Sequence, residues 1–189
     1  MSSKCLLILA IFLLSPLSQS PGQALDLNNP QPEHELLGRF AGAWEFEKWS
    51  APTDGLAPEK IGSGEINSEM LGSCFAICKW SGEVYGTKFK AVQTLGYDVS
   101  KRQYAGSWVD SLMSHQWQYA GSLDSKATKA KLVLVVEASG PDPSGGNTTF
   151  RERYQFKSAD SIVIVAQMQQ GTEWTTFMST HLTRKKQDD

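Results

Sequence analysis

From Ile61 to Gly140 the chain has no proline, and short runs of alternating apolar and polar residues are separated by turn formers. Prolines are excluded from central strand interiors, and a period of two marks a half-buried strand. The pattern predicts strands near 61–71, 73–81, 87–97, 103–110, 115–124 and 131–138, with WSGEVYG, YDVSKRQ and LDSKATKA as hairpin connections. After the loop PDPSGGN (Pro141 to Asn147), further strands are predicted at 148–158, 161–169 and 174–183, with QQGTEW as the last turn. Ahead of all these, Trp44 and Phe46 alternate with charges in AWEFEKWS, a first strand, and residues 51–60 form a loop rich in turn formers. EHELLGRFA (Glu33 to Ala41) has its apolar residues at helical spacing and predicts a short helix. About ten antiparallel strands after one short helix make an all-β protein. Hairpin-by-hairpin order favours a single up-and-down β-barrel over a sandwich, because closure removes exposed edges.

The first residues follow a different pattern. Lys4 precedes an apolar run, Cys5 to Leu14, that is too short for a membrane span of about 20 residues. Gly22 and Ala24 then supply small residues for cleavage. The segment reads as a signal peptide, 1–24, followed by a linker, 25–32, and a barrel domain, 33–186. The mature protein is expected to be secreted or periplasmic, monomeric, and off the membrane once the signal is removed. An uncleaved anchor is the alternative.

The chain has 18 Lys and Arg against 20 Asp and Glu, and losing Lys4 makes the mature form slightly more acidic. No basic stripe suggests a nucleic-acid partner. Cys74 and Cys78, if both lie on one strand, would be about 13 Å apart at roughly 3.3 Å per residue. A disulfide needs Cα atoms within about 7 Å, so two free thiols are expected. Neither has a His or Cys at metal-ligand spacing, and no cofactor is expected.

Strand parity then sorts the candidate chemistry. Tyr104, Trp108 and Asp110 share one face; so do His115, Trp117, Tyr119 and Leu123; so do Phe150, Glu152, Tyr154 and Phe156. These aromatic faces should point inward and carry Asp110, His115 and Glu152 with them. A β-bulge near Glu152 would turn Arg151 inward instead. Barrels of about eight to ten strands enclose one small ligand, and pockets are mostly apolar with a few placed polar groups. Trp108, Asp110, His115, Trp117, Tyr119, Glu152 and Tyr154 are therefore the candidate ligand-binding residues. The competing readings are that Asp110 caps the turn after it, and that His115, at the other end of that turn, is exposed or hydrogen-bonded rather than a ligand.

Several sequence features also resemble a known family. HELLGRFAGAW (His34 to Trp44), LGSCF (Leu71 to Phe75), GTKF (Gly86 to Phe89), LGYD (Leu95 to Asp98), YAGSWVDSLMS (Tyr104 to Ser114), Arg151-Glu152 and LTRK (Leu182 to Lys185) resemble the bacterial domain of unknown function family 1579. The family usually has a Gly-Gly-Arg type turn where this chain has Gly72, Ser73 and Cys74. The resemblance implies a lipocalin-like barrel of the calycin type and no particular activity. It also implies that Trp44, opening the first strand, and Arg184, closing the last, stack at the closed end as structural residues.

Enzyme motifs are thin. Gly38 stands where a zincin helix after His34-Glu35 needs its second His. Gly62-Ser-Gly64 lacks the rest of a dinucleotide loop, and no Gly-x-Ser-x-Gly elbow occurs. The expected function is non-covalent binding of a small apolar or amphipathic molecule. The alternatives are a hydrolase using Asp110 or Glu152, a filled barrel acting as an interaction module, and a heme barrel. His181, with Phe177 on its parity, is the candidate heme ligand, although the opposite face, Trp174, Met178 and Leu182, is the more apolar.

Overall fold

The structure is a computed structural model that describes residues 30–53, 55–128, 131–142 and 144–186. The expected signal peptide lies outside the described residues, as does the linker up to residue 29. A 3-10 helix, Pro32–Arg39, leads into ten strands: β1 Gly42–Ser50, β2 Lys60–Leu71, β3 Phe75–Val84, β4 Thr87–Asp98, β5 Gln103–Asp110, β6 Trp117–Leu123, β7 Leu132–Pro141, β8 Asn147–Phe156, β9 Ser161–Gln170 and β10 Glu173–Arg184. Each strand pairs antiparallel with the next, and β1 pairs with β10 to close the barrel.

Alternation decides which side chains fill the interior. On β1, Trp44 and Phe46 are buried, whereas Glu45 and Glu47 are exposed. Strand ends were less legible. β3 was expected to stop near residue 81 but continues to Val84, because the tight turn needs only Tyr85 and Gly86, at φ of 48° and 73°. It begins at Phe75 rather than 73, since Gly72 turns left-handed at φ 58° and leaves Cys74 in the turn. Cys74 and Cys78 are both free. Two inward glycines on β2 and β3, Gly64 and Gly82, receive the ring of Phe46; a Cβ on either would lie 2.8 Å from its Cζ.

One end of the barrel is sealed. Leu36, Leu37, Phe40 and His34 are buried where the helix covers β3 and β4. His34 Nδ1 accepts the Gln31 N–H at 2.8 Å, so His34 acts as a local cap. Phe40 meets Tyr154 and Phe156 edge to face, and its carbonyl accepts the Trp44 indole N–H at 2.8 Å. The Arg184 guanidinium carbon sits 4.0 Å from the centre of the Trp44 ring. Its nitrogens donate to the carbonyls of Arg39, Ala41 and Ala159. A guanidinium over an indole contributes about 0.5–2 kcal/mol.

One departure alters the wall. The register of β10 on β9 slips between Thr176 and Met178, so Phe177 is an extra residue. A bulge reverses parity on one side of itself. Met178 and Leu182 stay inward, but Trp174 turns outward beneath the Arg151 guanidinium, 4.0 Å from its ring centre. The apolar face expected of Trp174, Met178 and Leu182 is thus broken. Arg151 stays outside, where its Nε donates to Gln167 at 2.7 Å. β8 carries no register shift, so Glu152 keeps its inward parity.

Candidate functional site

The strands end opposite the helix in a mouth ringed by the loops after β1, β3, β5, β7 and β9. Most inward residues in the lower half are buried, Tyr154 at 1% exposure and Gln93 at 3%, with Met70, Tyr97 and Leu132 half-buried near the strand ends. Nearer the mouth, Trp80, Phe89, Ala91 and Ala166 are buried, whereas Lys48, Trp108, Asp110, Trp117, Phe150, Glu152 and Met178 are half-buried.

A polar floor separates the two halves. Gln93 Nε2, on β4, donates to the Tyr154 hydroxyl on β8 at 2.7 Å. Four strand positions separate these partners around the ring, so the bond bridges the lumen. The Tyr154 hydroxyl in turn donates to Glu152 Oε2. Tyr119 stands beside them, its hydroxyl donating to the Thr94 carbonyl at 2.5 Å. Burial pushes the Glu152 carboxyl above its ordinary pKa; the Tyr154 hydrogen bond and the Lys48 charge offset only part of this. Burial likewise pushes both tyrosine hydroxyls well above their usual range, with the Glu152 charge adding to the effect.

Lys48 enters the lumen from β1. Its Nζ lies 3.4 Å from the Thr180 hydroxyl, 5.6 Å from the Trp80 ring centre and 5.8 Å from that of Phe46. Burial lowers its pKa, and the charges of Glu152 and Asp110 partly restore it. Lys48 is not among the residues the strand pattern singles out, although it shares parity with Trp44 and Phe46. Trp80, Gln93 and Thr180 were missed because single inward polar groups carry no signal apart from their strand's parity.

The predicted residues separate into two groups. Glu152, Tyr154 and Tyr119 form the floor. Trp108, Asp110, Trp117 and His115 line the mouth. Asp110 is fully engaged: Oδ2 accepts the Trp108 indole N–H at 2.8 Å, and Oδ1 accepts the backbone N–H groups of Leu112 and Met113 at 2.7 and 3.1 Å. It caps its turn and fixes Trp108. His115 precedes β6 and packs edge-on against Trp117, 4.6 Å between centres. The Trp117 ring covers Gly140, where a Cβ would lie 2.1 Å from its Cζ3, and reaches Phe150 at 5.1 Å. Phe177, 6.1 Å from Phe150, completes an apolar rim with Met113. His181 lies exposed on the outer face, 6.4 Å from Trp49, and does not enter the lumen as a heme ligand would. Among the described residues, no group of three His, Cys, Asp or Glu could hold a metal ion.

The family described as "Protein of unknown function (DUF1579)" matches the chain over residues 29–184. The chain belongs to that family. The barrel of this DUF1579 protein is similar to the crystal structure of Rv2717c from M. tuberculosis, with a TM-score of 0.59 and 14% identity, over 84% of this chain and 100% of that one. It is also similar, at a TM-score of 0.49 and 15% identity, to the S-type phycobiliprotein lyase CPES from Guillardia theta, over 84% of this chain and 100% of that one. At such identities the likeness shows the fold alone. No curated protein matches this DUF1579 chain in sequence. The functional argument therefore rests on the lumen itself.

Proposed function

We propose that this protein binds a small apolar or amphipathic molecule in the mouth half of its barrel, without covalent chemistry. One observation supports the reading most: above the Gln93–Tyr154–Glu152 floor, half-buried aromatic and charged side chains face the same interior, Trp108, Trp117 and Phe150 together with Lys48 and Asp110. Pockets of this kind pair apolar walls with a few polar groups. Here Trp80, Trp108, Trp117 and Phe150 supply the walls, and Lys48 and Glu152 the polar groups. The leader Met1 to Ala24 supports export, so that the barrel works outside the cytoplasm. A second reading has a specific observation behind it. Glu152 has a raised pKa beside Tyr154 and Lys48, which suits a proton-transfer group.

Native mass spectrometry of protein purified from an exporting host tests both. A reproducible mass excess that is lost on denaturation is expected, over a polypeptide beginning at Leu25. A bare polypeptide mass from several hosts would overturn the carrier reading. Recovery of a chemically altered form of an added ligand would favour the Glu152 reading.

A further inference from the structure

Two donors at the base of the mouth half, the Lys48 ammonium and the Trp80 indole N–H, have few acceptors. Lys48 Nζ has three N–H groups, one long hydrogen bond to the Thr180 hydroxyl at 3.4 Å and the rings of Trp80 and Phe46 at 5.6 and 5.8 Å; among the described residues no carboxylate is ion-paired with it. Trp80 is 5% exposed, and its indole N–H has no partner among the described residues. An unmet buried donor is costly, and a buried ammonium without a paired anion more so. Neither neighbouring carboxyl, Glu152 or Asp110, is ion-paired with Lys48. Glu152 takes the Tyr154 hydroxyl, and Asp110 takes Trp108 and two backbone N–H groups.

We infer that Lys48 and Trp80 hold the carboxylate head of an amphipathic carboxylic acid, whose tail runs past Trp108, Trp117 and Phe150 to the rim. This rests on the lumen being a binding site. The donor set fits a monoanion: one ammonium and one indole N–H match two carboxylate oxygens, with the Thr180 hydroxyl beside them. A phosphate dianion calls for a second cation or an arginine fork, and among the described residues the arginines of β8, Arg151 and Arg153, face outward instead. Glu152 would repel an incoming anion if ionised. Burial favours its neutral form, which weakens that repulsion. Above the head site the wall is aromatic: Trp80 meets Trp108 at 5.3 Å between ring centres, and Trp117 meets Phe150 at 5.1 Å.

The test is calorimetric titration of the exported protein with dodecanoate and with dodecanol, which share a tail and differ in head charge. Wild type is expected to bind dodecanoate at least tenfold more tightly. Lys48→Met should bring dodecanoate down to the dodecanol level, and Trp80→Phe should lower the preference several-fold while keeping the aromatic packing. Equal affinity for the two probes in wild type would overturn the carboxylate head and leave lumen binding standing. Binding of neither probe would overturn the lumen reading together with this one. If Lys48→Met does not fold, as judged by circular dichroism, Trp80→Phe decides, and an unchanged preference in it would sink the proposal.

Discussion

The two ends of this barrel are made from the same alternating strands and reach opposite states. At the helix end, Leu37, Trp44, Ile66, Leu134 and Ile162 are at most 1% exposed, and the Arg184 guanidinium is spread over one indole and three carbonyls. At the mouth, Met113 is 47% exposed and Phe177 43%, and Trp117 and Phe150 are half-buried. The strands alone do not seal a barrel. Sealing needs an element that carries apolar residues across the end, and the 3-10 helix with Phe40 does so at one end. At the other, apolar side chains stand around an opening. A rim of that kind either receives a ligand or is a liability.

The largest test of this contrast is a matched pair of truncations. Trp44→Ala should cost about 3–5 kcal/mol in urea unfolding, the usual loss for a large aromatic in a filled core. Trp117→Ala should cost less than half as much, because the mouth already admits solvent around that ring. Equal losses would mean that the mouth is as solidly packed as the base. A smaller effect is expected at the clasp. Arg184→Met should lose about 0.5–2 kcal/mol from the cation–π contact, and hydrogen exchange should quicken first in Pro32–Arg39, whose last carbonyl it holds. Faster exchange at the mouth loops with an unchanged helix would contradict that assignment.

The mildest effect is a pH dependence from groups buried in the sealed part of the wall. Burial pushes the Cys78 thiol up to about 11. The Tyr104 hydroxyl is pushed up to about 12 by burial and by the Glu33 charge. Both hold their proton more tightly when folded than at their ordinary values of 9.0 and 10.0. Their contribution is therefore complete below about pH 9 and is lost as the pH climbs through 11 and 12. Thermal melts should fall across that window, and Cys78→Ala should flatten its lower part. A melting temperature that stays level from pH 9 to 11 in wild type would show that the thiol is not held in the barrel wall.

Much of the fold was legible because the signal is local. Trp108 and Asp110 on one face of β5, and Glu152 and Tyr154 on one face of β8, follow from counting by two. The bland reading of Asp110 was also available from its place before a turn, and its three accepted hydrogen bonds match it. Lys48 shows the limit. Its parity placed it inward, yet a charged residue in a strand is usually solvated, and nothing nearby in sequence says what it would meet. The reversal at Phe177 is similar. A bulge is a property of two paired strands, and β10 read alone gives no reason to suspect one.

The sequence by itself determined the all-β class, the strand count, the hairpin order and the inward parity of most aromatics. Each depends on residues adjacent in the chain: turn formers, proline placement and the period of the pleat. Only the tertiary structure decided that Gln93 meets Tyr154 across the lumen, that Lys48 lies over the Trp80 ring, that Trp174 lies outside under Arg151, and that the helix covers one end of the barrel. Those outcomes depend on closure. Joining β1 to β10 brings together side chains more than a hundred residues apart, and no local pattern encodes which polar groups will then share the interior.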